Sequence, residues 1–275
     1  MHARSALFDL YGDHLRTRGG QAPVAALVQL LAPVGVAAPA VRTAISRMVR
    51  QDWLTPVALP QGAGYRLTPR AVRRLDAAAA RIYRTRNSDW NGAWDLLVIG
   101  PIRPRPTRER VRSGLSFLGY APISDSTWIG PVTSAEVATL LGPEEVRFDR
   151  FAAADDDPAT LAARAWDLDA LAASYQQWLD FADKLLASPP TDDERAFAVR
   201  FELVHEWRKF LFSDPGLPAA LLPPGWPGHR AARFFDEAAG RLIAGASRYV
   251  DRCLTGRNSG PTRNQETPDI TGDDR

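Results

Sequence analysis

Apolar residues recur at helical spacing along the first part of the chain, with polar residues on the opposite side of each helix. Residues 5–17 predict a first helix, with Ser5 as N-cap and Leu7, Phe8, Leu10, Tyr11 and Leu15 on its apolar face. Gly19-Gly20 ends it. Pro23 suits the first turn of a second helix, which runs to about Ala32, and Pro33 and Gly35 make the next turn. The stretch PAVRTAISRMVRQDWL, Pro39 to Leu54, has two distinct faces. Val41, Ala44, Ile45, Met48 and Val49 form one; Arg42, Thr43, Ser46, Arg47 and Arg50 form the other. WLTPVALPQGAGYRLTP then reads as a strand, a glycine-rich turn and a second strand, and Thr68-Pro69 opens a fourth helix. Three helices followed by a hairpin is the order of a winged helix-turn-helix, over residues 1–87.

Past Trp90 the period changes. Trp94 to Ile99 is a buried-type strand, and RPTRERVRSGLSFLG is a helix with Val111, Leu115 and Leu118 on one side. Two short strands flank a turn at Ser124–Ser126, SAEVATLLG is a short helix, and EEVRFDRFA is a strand alternating at Val146, Phe148 and Arg150. This β-α-β-β-α-β order predicts a ferredoxin-like domain over 88–154, a fold with no fixed function. Residues 155–254 read as helical: about 158–187 with a break at Asp167, about 192–212, and about 228–254. The polar segment 255–275 predicts a disordered tail. The expected class is therefore α+β and multidomain: an N-terminal winged helix-turn-helix, a ferredoxin-like middle and an all-helical C-terminal domain.

Charge sharpens this picture. The net charge is +2, yet residues 1–86 hold thirteen Arg and four Asp, a local +9 that leaves −7 for the rest. A basic end on an acidic body predicts an anionic partner for that end alone. An anionic membrane surface is the weaker candidate, because the small core absorbs the apolar faces and no run reaches the roughly 18 residues of a membrane span. Duplex DNA is the stronger one. The expected contacts are Arg42, Thr43, Ser46, Arg47 and Arg50 on the third helix, with Gln61, Tyr65 and Arg66 on the hairpin. Arginine serves both guanine and phosphate. One small reading helix covers few bases, so a homodimer is expected on a two-fold operator.

Enzyme chemistry finds little support. HEWRK at 205–209 starts like a zinc protease motif, but Lys209 stands where the second histidine belongs. Four His and one Cys, Cys253, allow no zinc cluster or internal disulfide, and the lone thiol fits a reducing cytoplasm. GLSFLG lacks the spacing of a nucleophile elbow, and GAGYRL lacks the third glycine of a dinucleotide loop. Asp155–Asp157 reads as a helix cap rather than a metal site. No catalytic residue, metal or cofactor is expected.

Several motifs together resemble the PaaX family of bacterial transcriptional regulators. They are RGG at 18–20, LLAPVG at 30–35, AVRTAISRMVRQDWL at 40–54, YRLTPRAVRRL at 65–75, RIYR at 81–84, RAWDLDALAASY at 164–175 and LVHEWRKFLFSDPGLPAALLPPGWPG at 203–228. The resemblance covers nearly the whole chain apart from the tail. It implies the three domains just described, a DNA-reading helix over Val41 to Arg50, and repression of aromatic-acid catabolism, notably of phenylacetate, relieved by phenylacetyl-coenzyme A. It brings no residue map for the effector pocket.

The C-terminal aromatics offer one. An effector with an aromatic acyl group and a polyanionic nucleotide needs an apolar slot and cationic groups. Trp166, Tyr175, His205 and Arg208 are the candidates, at the junction of the middle and helical domains, although aromatics at helical spacing commonly form core. Two other readings stay open at this stage. One is an enzyme acting on a thioester with the winged helix as an interaction module, which duplex binding distinguishes. The other is an activator, since sequence does not give the sign of regulation.

Overall fold

The structure, a computed structural model, describes residues 1–82 and 90–256. The expected tail from Thr255 lies outside the described residues, apart from Thr255 and Gly256, as does the junction expected at 87/88.

The N-terminal part contains α1 (Ala3–Leu10), β1 (Gln21–Pro23), α2 (Val24–Leu31), α3 (Ala38–Arg50), β2 (Leu54–Leu59), β3 (Gly62–Leu67) and α4 (Pro69–Ile82). Helix α3 forms where the apolar spacing predicts, and buries Val41, Ala44, Ile45 and Met48. Val41, Ile45 and Met48 each contribute about 1.5–3 kcal/mol when fully buried, and the Ala44 methyl less. The hairpin β2–β3 pairs from Leu54↔Leu67 to Leu59↔Gly62. Thr68 then starts α4, its hydroxyl accepting from the Ala71 amide at 3.2 Å.

Two features differ from expectation. The first helix does not run regularly from a Ser5 cap; it starts after His2. It widens into a π turn at Tyr11–Leu15 and tightens to 3₁₀ at Arg16–Arg18, with Gly19 left-handed (φ 81°). The second difference is β1, which pairs with β3 and makes the sheet three-stranded, in the order β1-β3-β2. A three-residue strand containing proline carries no alternation to read, and proline is tolerated there because β1 is an edge.

The middle part comprises β4 (Trp94–Ile99), α5 (Arg105–Phe117), β5 (Ala121–Pro122), β6 (Thr127–Gly130), α6 (Glu136–Leu141) and β7 (Phe148–Ala153). All its strand pairs are antiparallel, in the order β5-β6-β4-β7. That order and the β-α-β-β-α-β succession are those of a ferredoxin-like fold. Val111 and Leu115 of α5 and Val137 and Leu141 of α6 cover one face, against Leu97, Ile99 and Trp128.

The helical part holds α7 (Pro158–Ala165), α8 (Leu168–Leu185), α9 (Asp193–Trp207), α10 (Phe210–Ser213) and α11 (Pro227–Thr255). The expected break falls at Trp166–Asp167, where the Asp167 carboxylate accepts from the Ala170 amide at 2.9 Å and restarts the helix. Asp157 and Asp192 cap α7 and α9 in the same way. Leu161, Ala162, Leu168, Leu217 and Leu221 close over the sheet's second face at Trp94 and Ile129.

The N-terminal core does not stop at its own helices. Phe197 and Phe201 of α9, and Ala246, Tyr249, Val250 and Cys253 of α11, belong to the same buried cluster as Leu7, Leu10, Leu27 and Ile45. The first 82 residues and the last two long helices share one interior.

Candidate nucleic-acid interface and the seam behind it

Helix α3 presents Arg42, Thr43, Ser46, Arg47 and Arg50 to solvent, opposite its buried stripe. The two hydroxyls are turned onto their own helix: Thr43 Oγ1 donates to Pro39 O at 2.9 Å and Ser46 Oγ to Arg42 O at 3.1 Å. Each keeps acceptor capacity. Among the described residues, Arg42, Arg47 and Arg50 form no ion pair. A long cationic side chain with no carboxylate to satisfy is available for an outside anion.

The hairpin is more mixed. Gln61 is exposed at its tip. Arg66 is exposed, but its guanidinium already donates to Gln21 Oε1 across β1–β3, at 2.8 and 2.5 Å. Tyr65 is half-buried and packs against the N-terminal core, while its carbonyl accepts from Tyr11 Oη at 3.0 Å. Tyr65 thus packs first on the core, on the same face of β3 as the buried Leu67, two residues on. Strand β1, absent from the sequence reading, is what brings Gln21 to Arg66.

Behind the α3 face lies a seam of buried charge. Asp9 and His14 are 2% and 1% exposed, on α1 and the π turn, and Arg200 of α9 is 3% exposed. Arg200 donates from Nε and Nη2 to both Asp13 oxygens, at 2.9 and 2.7 Å, and from Nη1 to Ala239 O at 2.5 Å. His205 Nδ1 lies 2.5 Å from Asp9 Oδ2, and Arg208 pairs with the other Asp9 oxygen. Burial holds the His205 imidazole below its ordinary range and lowers Arg208 to about 10. The π turn carries Asp13 and His14, which meet Arg200 and Phe197 of α9, while Asp9 meets His205 of the same helix.

The four expected effector residues are therefore not gathered at one junction. Trp166 stacks on Trp94 at 5.8 Å beside the middle sheet. Tyr175 is 3% exposed and lies flat on Phe210 at 4.0 Å, its hydroxyl donating to Asp214. Trp226 packs against both groups. His205 and Arg208 point instead to the N-terminal domain, because Asp9 is the carboxylate that α9 faces. The sequence reading missed Asp9, Asp13, His14 and Arg200. Its available signal was two aspartates at i, i+4 on a helix whose neighbouring positions are apolar, which requires a buried cationic partner.

Together these features describe a multidomain protein of helices and antiparallel sheets that offers a basic helix outward and braces it from behind through buried ion pairs. Residues 2–71 match the family model described as PaaX-like protein, 87–160 the PaaX protein central Cas2-like domain, and 166–252 the PaaX-like protein C-terminal domain. The chain belongs to the PaaX family. It is 28% identical over 260 residues to the transcriptional repressor PaaX of Escherichia coli (strain K12), covering 90% of this chain and 82% of that one. The solved structure of the uncharacterized protein Rv0674 from Mycobacterium tuberculosis is also similar. It has 27% identity and a TM-score of 0.56, over 91% of this chain and 98% of the other. No helix among the described residues is long and apolar enough to cross a membrane.

Proposed function

We propose that this protein is a transcriptional repressor whose N-terminal part is a winged helix-turn-helix that reads duplex DNA. The observation that carries the reading is the exposed arginine face of α3, without ion pairs among the described residues, beside an antiparallel hairpin. The named repressor among its relatives supports the sign of regulation. In this reading α3 enters the major groove, Arg42 and Arg47 face base edges or phosphates, Arg50 and Gln61 contact the backbone, and Tyr65 and Arg66 hold the wing in shape. The protein acts as a cytoplasmic homodimer on a two-fold operator, without a catalytic step. Its targets are genes of phenylacetate-type catabolism, and an aryl-acyl-coenzyme A such as phenylacetyl-coenzyme A releases it.

The effector reading changes in form. Trp166 and Tyr175 flank Trp226, while His205 and Arg208 hold Asp9 behind α3, so the four mark a route between the body and the reading helix. An effector that parts the edge-to-face contact of Tyr175 and Trp226 stabilises the off-DNA state by its differential affinity for that state. A hundredfold release requires about 2.7 kcal/mol of coupling.

Arg42→Ala and Arg47→Ala test the reading helix. Each is expected to weaken specific binding by about 1–3 kcal/mol if the arginine reads guanine. Folded variants that both bind the chain's own upstream duplex like wild type, in fluorescence anisotropy, would remove α3 from the interface.

A further inference from the structure

A cleft of about 690 Å³ opens where the π turn meets α9 and α11, bordered by Asp13, His14, Arg18, Arg200, Asp236 and Ile243. Its size lies within the common range of small-molecule sites. Its most unusual feature is His14. The ring is 1% exposed, yet neither nitrogen has a hydrogen-bond partner among the described residues. Nε2 lies 3.2 Å from Asp13 Oδ2 but without hydrogen-bond alignment, and both Asp13 oxygens already accept from Arg200. A buried polar side chain left in this state requires an explanation.

We propose that this cleft binds a small organic monocarboxylate, its carboxylate on Arg18 and the His14 N–H and its apolar body along Ile243 and the bare backbone of Gly240. The unfilled capacity here is mostly of donors. Arg18 uses Nε on Asp251 and Nη1 on the His14 carbonyl, and both Thr17 and Ser247 hydroxyls line the wall. Burial lowers His14 to about 4, so at neutral pH the ring is a neutral donor on one nitrogen. Burial also pushes the Asp236 carboxyl upward. One negative charge fits. A second does not, because Arg200 is spent on Asp13 and Ala239, Arg18 already donates to Asp251, and Asp236 borders the cleft. The site is therefore different in kind from one for a polyanionic thioester, and it stands apart from the DNA reading.

Gly240 supplies the test. A Cβ added there meets nothing within 4 Å, so Gly240→Leu places an apolar side chain at an open backbone position of the cleft wall. The full chain labelled with ¹⁵N-histidine has four His to resolve, and His14→Phe identifies the signal of interest. Hexanoate and benzoate, titrated to the order of millimolar concentrations, are expected to shift the His14 signal saturably. Hexanamide and benzamide are expected to leave it in place. Gly240→Leu should abolish the response and Arg18→Gln should weaken it by about tenfold or more. An unmoved His14 signal, an equal response to the amides, or a response that survives both variants would each overturn the proposal.

Discussion

His14 shows what a single residue records about its surroundings. Its imidazole titrates at about 4 rather than the ordinary 6.5, chiefly through burial, with Asp13 and Asp251 opposing the shift and Arg200 and Arg18 adding to it. An unfolded chain takes up the proton first. The stabilisation is therefore complete above the unfolded value and is lost as the pH falls through about 4. A difference of this size corresponds to about 3 kcal/mol. His205, also lowered by burial, acts in the same direction. Urea titrations at neutral pH and near about pH 5 should show stability falling on the acid side, and His14→Phe should flatten that fall. A variant with the slope of wild type would mean that His14 is protonated in the folded protein.

At the scale of elements, the parts set by periodicity were legible and the parts set by partners were not. The α3 stripe, the β2–β3 hairpin, the break at Asp167 and the β-α-β-β-α-β order all follow from local pattern, because each element buries one face at its own period. The π turn, β1 and the α9 charges do not. Asp9, Asp13 and Arg200 read as ordinary surface residues until α9 is laid against α1, some 190 positions away in sequence. The exposure of the α3 arginines follows from the helical wheel, whereas the packing of Tyr65 depends on how the hairpin docks on the N-terminal core. That three-stranded sheet makes a sharp prediction at Gly64. A Cβ there lies 2.5 Å from Ala22 O and 2.6 Å from a Leu59 methyl, one contact being backbone. Gly64→Ala is expected to cost about 1–3 kcal/mol in denaturant titrations. An unchanged midpoint would show that β1 is not docked on β3 in solution.

Across the whole molecule, the shared core changes what a domain means here. Length and composition suggest an N-terminal unit that can be cut away near residue 86. Yet Phe197, Phe201, Tyr249 and Val250 complete its interior. A fragment of residues 1–86 is therefore expected to lack a cooperative thermal transition, while the full chain has one; a sharply melting fragment would refute the shared core. The same continuity gives regulation a physical route. Any ligand that shifts α9 or α11 moves side chains that are also the floor of the N-terminal part and the partners of Asp9 and Asp13.

The central claim is that the basic N-terminal part binds duplex DNA through α3, and a salt titration of the full chain addresses it most directly. A dimer that neutralises about 6–10 phosphates should lose about 10³–10⁵ in affinity for its own upstream duplex between about 50 and 200 mM salt. Arg42→Ala should weaken that binding at every salt concentration. Affinity that stays flat across the range, with Arg42→Ala indistinguishable from wild type, would contradict the claim.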